Sequence, residues 1–290
     1  MLSACSPFPL LNAAGFAANP NITVTRDIAY GEGDRHELDV YAPPGNGSGR
    51  PTVVFFYGGG WDSGARADYA WVGRGLAARG YVAVIADYRL YPQVVWPAFL
   101  QDSADVVRWS HDHIAAYGGD PSRLFLMGHS AGAYNAVELA VDRRWLAAMG
   151  MDPAQDIRGA IGLSGPYDFL PLHSEELKII FGPENHRPDN QPINHVDGLA
   201  PPLLLATGDL DRAVDPGNSD RLAARVRAAG GAVTVIHYPK LNHMQAVAAL
   251  LRPLEWLAPV MRDATAFIDR HAGAESARAT PGLEAAPVKS

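Results

Sequence analysis

Short apolar runs alternate with longer helical segments from residue 52 onward, and this alternation limits the possible folds more than any other feature of the chain. Continuous apolar runs are typical of strands buried on both faces of a parallel sheet, and parallel strands need crossover connections that are usually helices. Strands are predicted at residues 52–57, 81–86, 124–127, 160–163, 203–207 and 233–238. Helices are predicted at 68–79, 98–117, 131–142, 219–229 and, as one long element, from 244 to about 271. The pattern indicates an α/β fold that binds its ligand at the carboxyl edge of the sheet.

The N-terminal part of the chain is predicted to add an antiparallel hairpin. Two stretches rich in β-forming residues, 22–30 and 36–42, flank a turn cluster of Gly-Glu-Gly-Asp. The sheet is therefore expected to have about eight mostly parallel strands flanked by helices. We expect residues 1–20 to be an irregular lead-in or tether, 21–273 to be one domain, and 274–290 to be a disordered tail.

Composition excludes several classes of partner. A net charge of -7 provides no basic surface for phosphates, so nucleic acid is not expected as a partner. No apolar run is long enough for a transmembrane helix. The single cysteine, Cys5, excludes a disulfide within the chain and any zinc site built from cysteine pairs. Oligomeric state is not predicted.

Cys5 leaves two localisations open. The tetrapeptide Leu-Ser-Ala-Cys at 2–5 resembles the lipobox of bacterial lipoproteins, but the charged and apolar stretch that normally precedes a lipobox is missing. A longer precursor would make the protein a cell-envelope lipoprotein. If the resemblance is due to chance, a cytoplasmic location is expected.

A nucleophilic serine is predicted at Ser130. The segment Gly-His-Ser-Ala-Gly at 128–132 follows a predicted strand and precedes a predicted helix. In that context, G-x-S-x-G forms a sharp turn that exposes the serine hydroxyl at the sheet edge. The flanking glycines avoid collisions with neighbouring elements, and the helix N-terminus favours a developing oxyanion.

Oxyanion-hole donors are predicted in the loop after the strand at 52–57. This loop begins Tyr-Gly-Gly-Gly-Trp at 57–61, and glycines let the backbone N–H groups approach a substrate closely. We expect the N–H groups of Gly59, Gly60 and Ala131 to form the oxyanion hole.

These motifs resemble those of the α/β-hydrolase fold, in particular the group that includes hormone-sensitive-lipase-like esterases, feruloyl esterases and kynurenine formamidases. The resemblance spans roughly residues 23–271 and includes Asp-Tyr-Arg-Leu-Tyr-Pro at 87–92 and Tyr-Gly-Gly-Asp-Pro at 117–121. It implies that Asp87 and Arg89 brace the oxyanion loop. Tyr57 departs from the pattern, because the group usually has histidine at this position.

The general base is predicted to be His243. A serine hydroxyl needs a base within hydrogen-bond reach, and in this fold the partners follow in the order serine, acid, histidine. His243 follows the last predicted strand, whereas His237 lies within that strand and His129 should point away from the serine. Three further histidines lie in a proline-rich insertion at 167–202 and could touch substrate: His173, His186 and His195.

The acid lies in the loop after the strand at 203–207, where three aspartates compete. Asp215 precedes a proline at a helix start, which favours a capping role, and Asp209 could bond local amides in the turn. The spacing Gly-x-x-Asp-x-x-Val at 208–214 resembles the acid loop of esterases of this fold, and this resemblance selects Asp211, with Asp209 as the reserve.

The predicted function is hydrolysis of small to medium acyl esters through an acyl-enzyme intermediate, a serine carboxylesterase reaction for which no cofactor or metal is expected. The alternative within the same chemistry is an arylformamidase. The alternative from another class is a non-catalytic binding relative. The insertion at 167–202 is interpreted as a small lid over the site or, alternatively, as a surface excursion with no role in substrate entry.

Overall fold

The computed structural model describes residues 7–273, which contain one eight-stranded sheet of order β1-β2-β4-β3-β5-β6-β7-β8. The strands are β1 (Thr23–Ala29), β2 (Glu37–Ala42), β3 (Arg50–Phe56), β4 (Val82–Ala86), β5 (Gly119–His129), β6 (Ile157–Leu163), β7 (Leu203–Gly208) and β8 (Val233–Tyr238). The α-helices are α1 (Phe8–Ala18), α2 (Ala70–Ala77), α3 (Ala98–His113), α4 (Ala131–Val141), α5 (Arg143–Ala148), α6 (Pro153–Asp156), α7 (Glu175–Ile180), α8 (Gly217–Ala228), α9 (His243–Ala248) and α10 (Val260–Ala272).

The predicted fold class is confirmed. Strands β3 to β8 pair in parallel, and the hairpin β1–β2 joins the sheet through the antiparallel pair β2–β4. The central strands carry the apolar runs, and Val54, Phe55 and Leu126 are completely buried. Removing one such side chain typically costs about 2–5 kcal/mol, because the cavity left behind collapses only partly. The buried strands therefore hold the loops at their carboxyl ends in fixed positions.

The prediction of one long C-terminal helix is wrong. The segment divides into α9, a short 3-10 helix at Arg252–Leu254, and α10. Pro253 lies at the first turn of the 3-10 helix, and Pro259 is the N-cap of α10. A proline has no N–H for the helical hydrogen bond and its ring collides with the preceding turn, so a continuous helix cannot pass through these positions.

The expectation of an irregular lead-in is wrong for residues 8–18, which form helix α1. Gly15 allows α1 to pack closely on α2, because a Cβ at this position would lie 2.5 Å from the Cβ of Trp71. Asn12 completes the contact: its Oδ1 accepts from the Trp71 N–H at 3.1 Å and its Nδ2 donates to the Ala67 carbonyl at 2.8 Å. Cys5 and the predicted tail at 274–290 lie outside the described residues.

The insertion at 167–202 contains α7 and two 3-10 helices, Glu184–Asn190 and Pro192–His195. It is attached to α4, since the Tyr134 hydroxyl donates to the Asn190 carbonyl at 2.9 Å. Between residues 7 and 273, no helix has the length and apolar character needed to cross a membrane.

Candidate active site

Ser130 lies on the sharp turn between β5 and α4, with φ 56° and ψ −122°. Non-glycine residues seldom adopt a positive φ, so the turn is held by its surroundings. A Cβ on Gly128 would lie 2.1 Å from the Gly132 carbonyl oxygen, and one on Gly132 would lie 2.1 Å from the Phe56 oxygen. The two glycines therefore permit the close backbone packing that presents Ser130 to a cavity at the carboxyl edge of the sheet.

Asp211 and His243 form a hydrogen-bonded pair at the same edge. The carboxylate Oδ2 lies 2.8 Å from His243 Nδ1, and Oδ1 accepts from the backbone N–H groups of Ala213 at 2.9 Å and Val214 at 3.0 Å. Burial raises the pKa of Asp211, but the hydrogen bonds from His243 and the two amides outweigh it, so the net pKa is lowered. An ionised carboxylate accepts only, so His243 places its proton on Nδ1 and leaves Nε2 free to act as a base.

The orientation of His243 is set by the start of α9. Asn242 caps this helix in a capping box with Gln245, in which each side chain accepts from the backbone N–H of the other residue at 3.0 Å. Such a reciprocal cap satisfies two helix N–H groups and fixes where the helix begins. His243, the first residue of α9, consequently faces the cavity that Ser130 also lines.

His129 lies beneath His243. Its Nε2 donates to the His243 carbonyl oxygen at 3.1 Å, and the two ring centroids are 4.7 Å apart. Burial and then the proximity of His243 lower the pKa of His129 to about 3. His129 is therefore neutral at working pH and supports the main chain of His243 without adding a competing positive charge.

The other two candidate acids have other partners. Asp209 Oδ1 lies 2.6 Å from His237 Nδ1, an exposed contact in which the pKa of His237 is raised because its bonds to Asp209 and Asp220 outweigh its burial. Asp215 accepts from the Gly217 N–H at 3.0 Å just before α8, but the N-cap of this helix is Pro216, so the capping role expected for Asp215 is wrong. Only Asp211 of these three contacts His243.

The three histidines of the insertion occupy different surroundings. His173 lines the cavity. His186 is exposed, and His195 lies against Glu138 of α4 and against Asp142, which follows α4.

The glycine loop, which follows β3 and begins at residues 57–61, lies next to Ser130 at the cavity. A Cβ on Gly58 would lie 2.9 Å from the Cβ of Ser130, so this loop touches the turn directly. The loop folds back on itself, since the N–H groups of Asp62 and Ser63 donate to the Gly59 carbonyl at 3.1 and 3.0 Å. Gly59 has φ 142° and Gly60 has φ 61°, both in the region that favours glycine.

Arg35, which sequence reasoning did not select, braces this loop. It lies in the turn of the β1–β2 hairpin, and its guanidinium donates to the Gly64 carbonyl at 2.9 Å and to the Tyr57 hydroxyl. Tyr88 adds a bond from its hydroxyl to the Tyr57 carbonyl at 2.7 Å. Tyr57 thus anchors the loop from the position where the related group carries histidine, and burial raises its pKa, so it stays a neutral hydroxyl. No local motif marks Arg35, because its contacts join segments about thirty residues apart.

Asp87 and Arg89 have separate structural roles. Asp87 accepts from the Arg66 N–H at 2.8 Å and from the guanidinium of Arg66, so it holds the segment that follows the glycine loop. Arg89 instead binds the buried carboxylate of Asp102 on α3 through two nitrogens, at 2.9 and 2.6 Å. The bracing role implied for Arg89 is therefore wrong, since its partner lies on a different element.

The cavity beside Ser130 has a volume of about 910 Å³. Most of its exposed lining is apolar and comes from α1, the glycine loop, the insertion and α9: Phe8, Trp61, Phe169, Leu170, Pro171, Leu172, Leu177 and Met244. A charged group, Arg221 with Asp168 and Asp215, lies on another part of its wall. The volume is at the upper end of the range usual for small-molecule sites.

Comparison with known proteins gives one family match. The model of the BD-FAE family matches residues 38–226. Among curated proteins, the chain is 31% identical over 241 residues to a probable isoprenylcysteine alpha-carbonyl methylesterase of Arabidopsis thaliana, covering 76% of this chain and 51% of that protein. It is 29% identical over 247 residues to esterase LipQ of Mycobacterium tuberculosis, covering 79% of this chain and 59% of LipQ. The chain thus spans about half the length of these relatives.

Solved structures share the fold at lower sequence identity. An esterase from Pyrobaculum calidifontis superposes with a TM-score of 0.75 at 21% identity, covering 92% of this chain and 91% of the esterase. A truncated carbohydrate esterase from gut microbiota also gives a TM-score of 0.75, at 20% identity, covering 88% of this chain and 98% of that structure. Both likenesses extend over nearly the whole described chain.

Proposed function

This chain belongs to the BD-FAE family of α/β-hydrolases, and from that premise we propose that it hydrolyses carboxylic esters with Ser130 as nucleophile, His243 as general base and Asp211 as the residue that orients the base. The single observation that carries the assignment is the Asp211–His243 bond of 2.8 Å, made by a carboxylate whose other oxygen is held by two backbone amides. The proposal is supported by the cavity that His243 and Ser130 both line, with Ser130 on a strained turn.

Acylation begins when Ser130 Oγ attacks the ester carbonyl carbon and its proton moves to His243 Nε2. The imidazolium so formed is stabilised by the adjacent carboxylate of Asp211, whose lowered pKa keeps it ionised. The C–O bond to the alcohol then breaks, and the imidazolium gives its proton to the departing oxygen. The acyl group remains bonded to Ser130 as an ester.

Deacylation repeats these proton transfers with water as the nucleophile. His243 takes a proton from water, the hydroxide oxygen bonds to the acyl carbon, and the bond to Ser130 Oγ breaks as the serine regains its proton. In both steps the N–H groups of Gly59, Gly60 and Ala131 are proposed to bind the negative oxygen. Losing one such donor typically lowers turnover on the order of 100- to 1000-fold.

The cavity supports small to medium acyl esters as substrates. Its apolar side chains favour a hydrocarbon acyl or alcohol group, because binding removes that group from water. The relatives act on different esters by name, so their substrates do not select one for this chain.

A fluorophosphonate probe tests the nucleophile. We expect one covalent label on the full-length protein and none on Ser130→Ala, with Ser164→Ala as the matched control. Ser164 also has a positive φ, 51°, but it lies at the end of β6 and does not line the cavity. Absence of labelling in the unmodified protein would favour a non-catalytic binding relative, and labelling that survives Ser130→Ala would place the nucleophile elsewhere.

A substrate panel tests the reaction class. We expect p-nitrophenyl esters of short and medium acyl chains to be hydrolysed with a higher kcat/KM than N-formylkynurenine. A higher kcat/KM on the formamide would make the protein an arylformamidase with the same three residues.

A further inference from the structure

A buried polar cluster lies where the insertion meets helix α4, and its three residues do not line the cavity beside Ser130. Glu138 lies on α4, Asp142 follows the last residue of α4 and caps the start of α5, and His195 comes from the 3-10 helix at the end of the insertion. Each of the three can offer one ligand atom, and these atoms all lie within 4.8 Å of one another. Glu138 is completely buried and Asp142 is 4% exposed.

Glu138 lacks the hydrogen bonds that a buried carboxylate needs. Among residues 7–273, its buried Oε2 has no hydrogen-bond partner, and its Oε1 accepts only a long contact of 3.4 Å from the Trp145 indole. An unpaired buried carboxylate is costly, because nothing replaces the water it has lost. The Glu138 carboxylate therefore requires either a bound cation or its own proton to neutralise its charge.

His195 presents a lone pair toward the same space. Its Nε2 donates to the Asp189 carbonyl at 2.7 Å, so in the neutral ring Nδ1 carries no proton. Nδ1 lies 3.6 Å from Asp142 Oδ2, too far for a hydrogen bond, while Nε2 lies 3.9 Å from Glu138 Oε1. His195 Nδ1 and Asp142 Oδ2 are both acceptors, and their separation of 3.6 Å leaves room for a positively charged group between them.

The charges around the cluster do not balance. Among the described residues, the carboxylates of Asp142 and Asp189 pair with the guanidinium of Arg144, whereas Glu138 pairs with no guanidinium and lies 3.9 Å from His195 Nε2. Arg144 binds both oxygens of Asp142, at 3.0 and 2.7 Å, an outer contact of the kind that orients a metal-ligating carboxylate. With ionised carboxylates and a neutral His195, two negative charges are left over, which is the charge that one divalent cation neutralises.

We propose that Glu138, Asp142 and His195 bind one divalent transition-metal cation such as Zn²⁺, which fastens the insertion to α4. Two carboxylate oxygens and one imidazole nitrogen are ligands that zinc accepts at about 2.0–2.2 Å, so closing the observed separations requires side-chain shifts of roughly 1 Å. The site is structural and takes no part in acyl transfer. No spacing in the sequence marks it, because His195 is far along the chain from α4.

Metal titration of the full-length protein tests the proposal without an activity readout. After treatment with a chelator and dialysis, we expect the protein to bind one equivalent of Co²⁺ with visible absorption bands, and Zn²⁺ to displace it. Saturating Zn²⁺ should raise the Tm by roughly 5–10 °C, as expected for a ligand at about a hundred times its Kd that binds only the folded state.

Three variants locate the site. Glu138→Gln and His195→Asn should each weaken Co²⁺ binding by roughly a hundredfold or more, since each removes a direct ligand. His186→Asn is the matched control, because this exposed histidine lies in the same insertion. If Glu138→Gln does not fold, as judged by far-UV circular dichroism, His195→Asn alone decides.

The proposal is overturned if neither Co²⁺ nor Zn²⁺ binds stoichiometrically, which would leave a proton on Glu138 as the completing group. Burial and then the Asp142 charge do raise the pKa of Glu138 well above its usual range. Binding that survives His195→Asn, or that is lost in His186→Asn, would place the ion elsewhere and also overturn it.

Discussion

Replacing Asp211 with asparagine changes one oxygen to an NH₂ group and leaves the shape of the side chain almost unchanged. The backbone N–H groups of Ala213 and Val214 both point at Oδ1, at 2.9 and 3.0 Å, and therefore require an oxygen there. The asparagine NH₂ must then face His243 Nδ1 at the position of Oδ2. An NH₂ group only donates, so the histidine must move its proton to Nε2, where it can no longer accept the proton of Ser130.

The size of the expected loss in kcat can be estimated from the other orientation of the introduced amide, in which its oxygen faces His243 and its NH₂ group faces the N–H groups of Ala213 and Val214. That orientation keeps the productive tautomer but leaves two part-buried N–H groups without an acceptor, at up to about 1–3 kcal/mol each. A total of roughly 2–6 kcal/mol makes the productive conformer about 30 to 10⁴ times rarer, at 1.4 kcal/mol per factor of ten. The neutral amide also stabilises the imidazolium less than the carboxylate does. We therefore expect kcat on a p-nitrophenyl ester to fall by about 10³- to 10⁴-fold.

Asp209→Asn is the matched control for this experiment. It is the same substitution in the same loop, on a carboxylate that binds the exposed His237, so kcat should change less than about twofold. A kcat within tenfold of the unmodified enzyme for Asp211→Asn, or an equal loss for Asp209→Asn, would refute the assignment of the acid.

Stability measurements separate loss of chemistry from loss of fold. The pKa of Asp211 is lower in the folded protein than in the unfolded chain, so this carboxylate contributes stability above its unfolded pKa and loses it as pH falls through its folded pKa. Asp211→Asn should therefore be less stable than the unmodified protein at pH 7, and the difference should shrink below about pH 4. Urea denaturation at pH 7 and at low pH measures this difference in the free energy of unfolding.

Three further changes test the surroundings of the site. The pKa of His129 is about 3 in the folded protein, below the value of 6.5 in the unfolded chain, so between these pH values only the unfolded chain binds a proton at this residue. His129 should therefore make the free energy of unfolding rise from pH 3 to 6.5 by up to about 1.4 kcal/mol per pH unit. His129→Gln should flatten that slope in urea denaturation between pH 4 and 7, and an unchanged slope would contradict burial of a neutral histidine. Gly132→Ala should lower both the Tm, by several degrees, and kcat, because the new methyl group meets the backbone oxygens of Phe56 and Tyr57 at 2.1 and 2.4 Å. Gly75→Ala is the control, because its nearest neighbour is the flexible Met261 methyl group at 3.3 Å, and its Tm should stay within a few degrees of that of the unmodified protein. Equal effects of the two substitutions would be evidence against the packing argument. Arg35→Gln should lower kcat by roughly tenfold with little change in KM, because it releases the glycine loop and leaves the cavity walls in place; a change confined to KM would argue against a positioning role.

Much of the fold was predictable because its signals are local. The apolar runs of β3 to β7 are continuous since both faces of these strands are largely buried, and such runs can be recognised without knowing what covers them. The turn at Ser130 is equally local: two glycines and a serine between a strand and a helix leave few other conformations. The two prolines that interrupt the C-terminal helical segment were also visible in the sequence, and their helix-breaking effect was missed.

Other features depend on contacts between segments that are distant along the chain. Asp209, Asp211 and Asp215 lie within one short loop, and what separates them is that His237 pairs with Asp209, the start of α8 uses Asp215, and α9 brings His243 to Asp211. The strands, the turn at Ser130 and the order of the candidate residues can be read from the amino-acid sequence, because each depends on neighbours along the chain. The partner of each charged side chain, including Arg35 and the Glu138 cluster, becomes known only in the folded protein, because a hydrogen bond is set by distance in space.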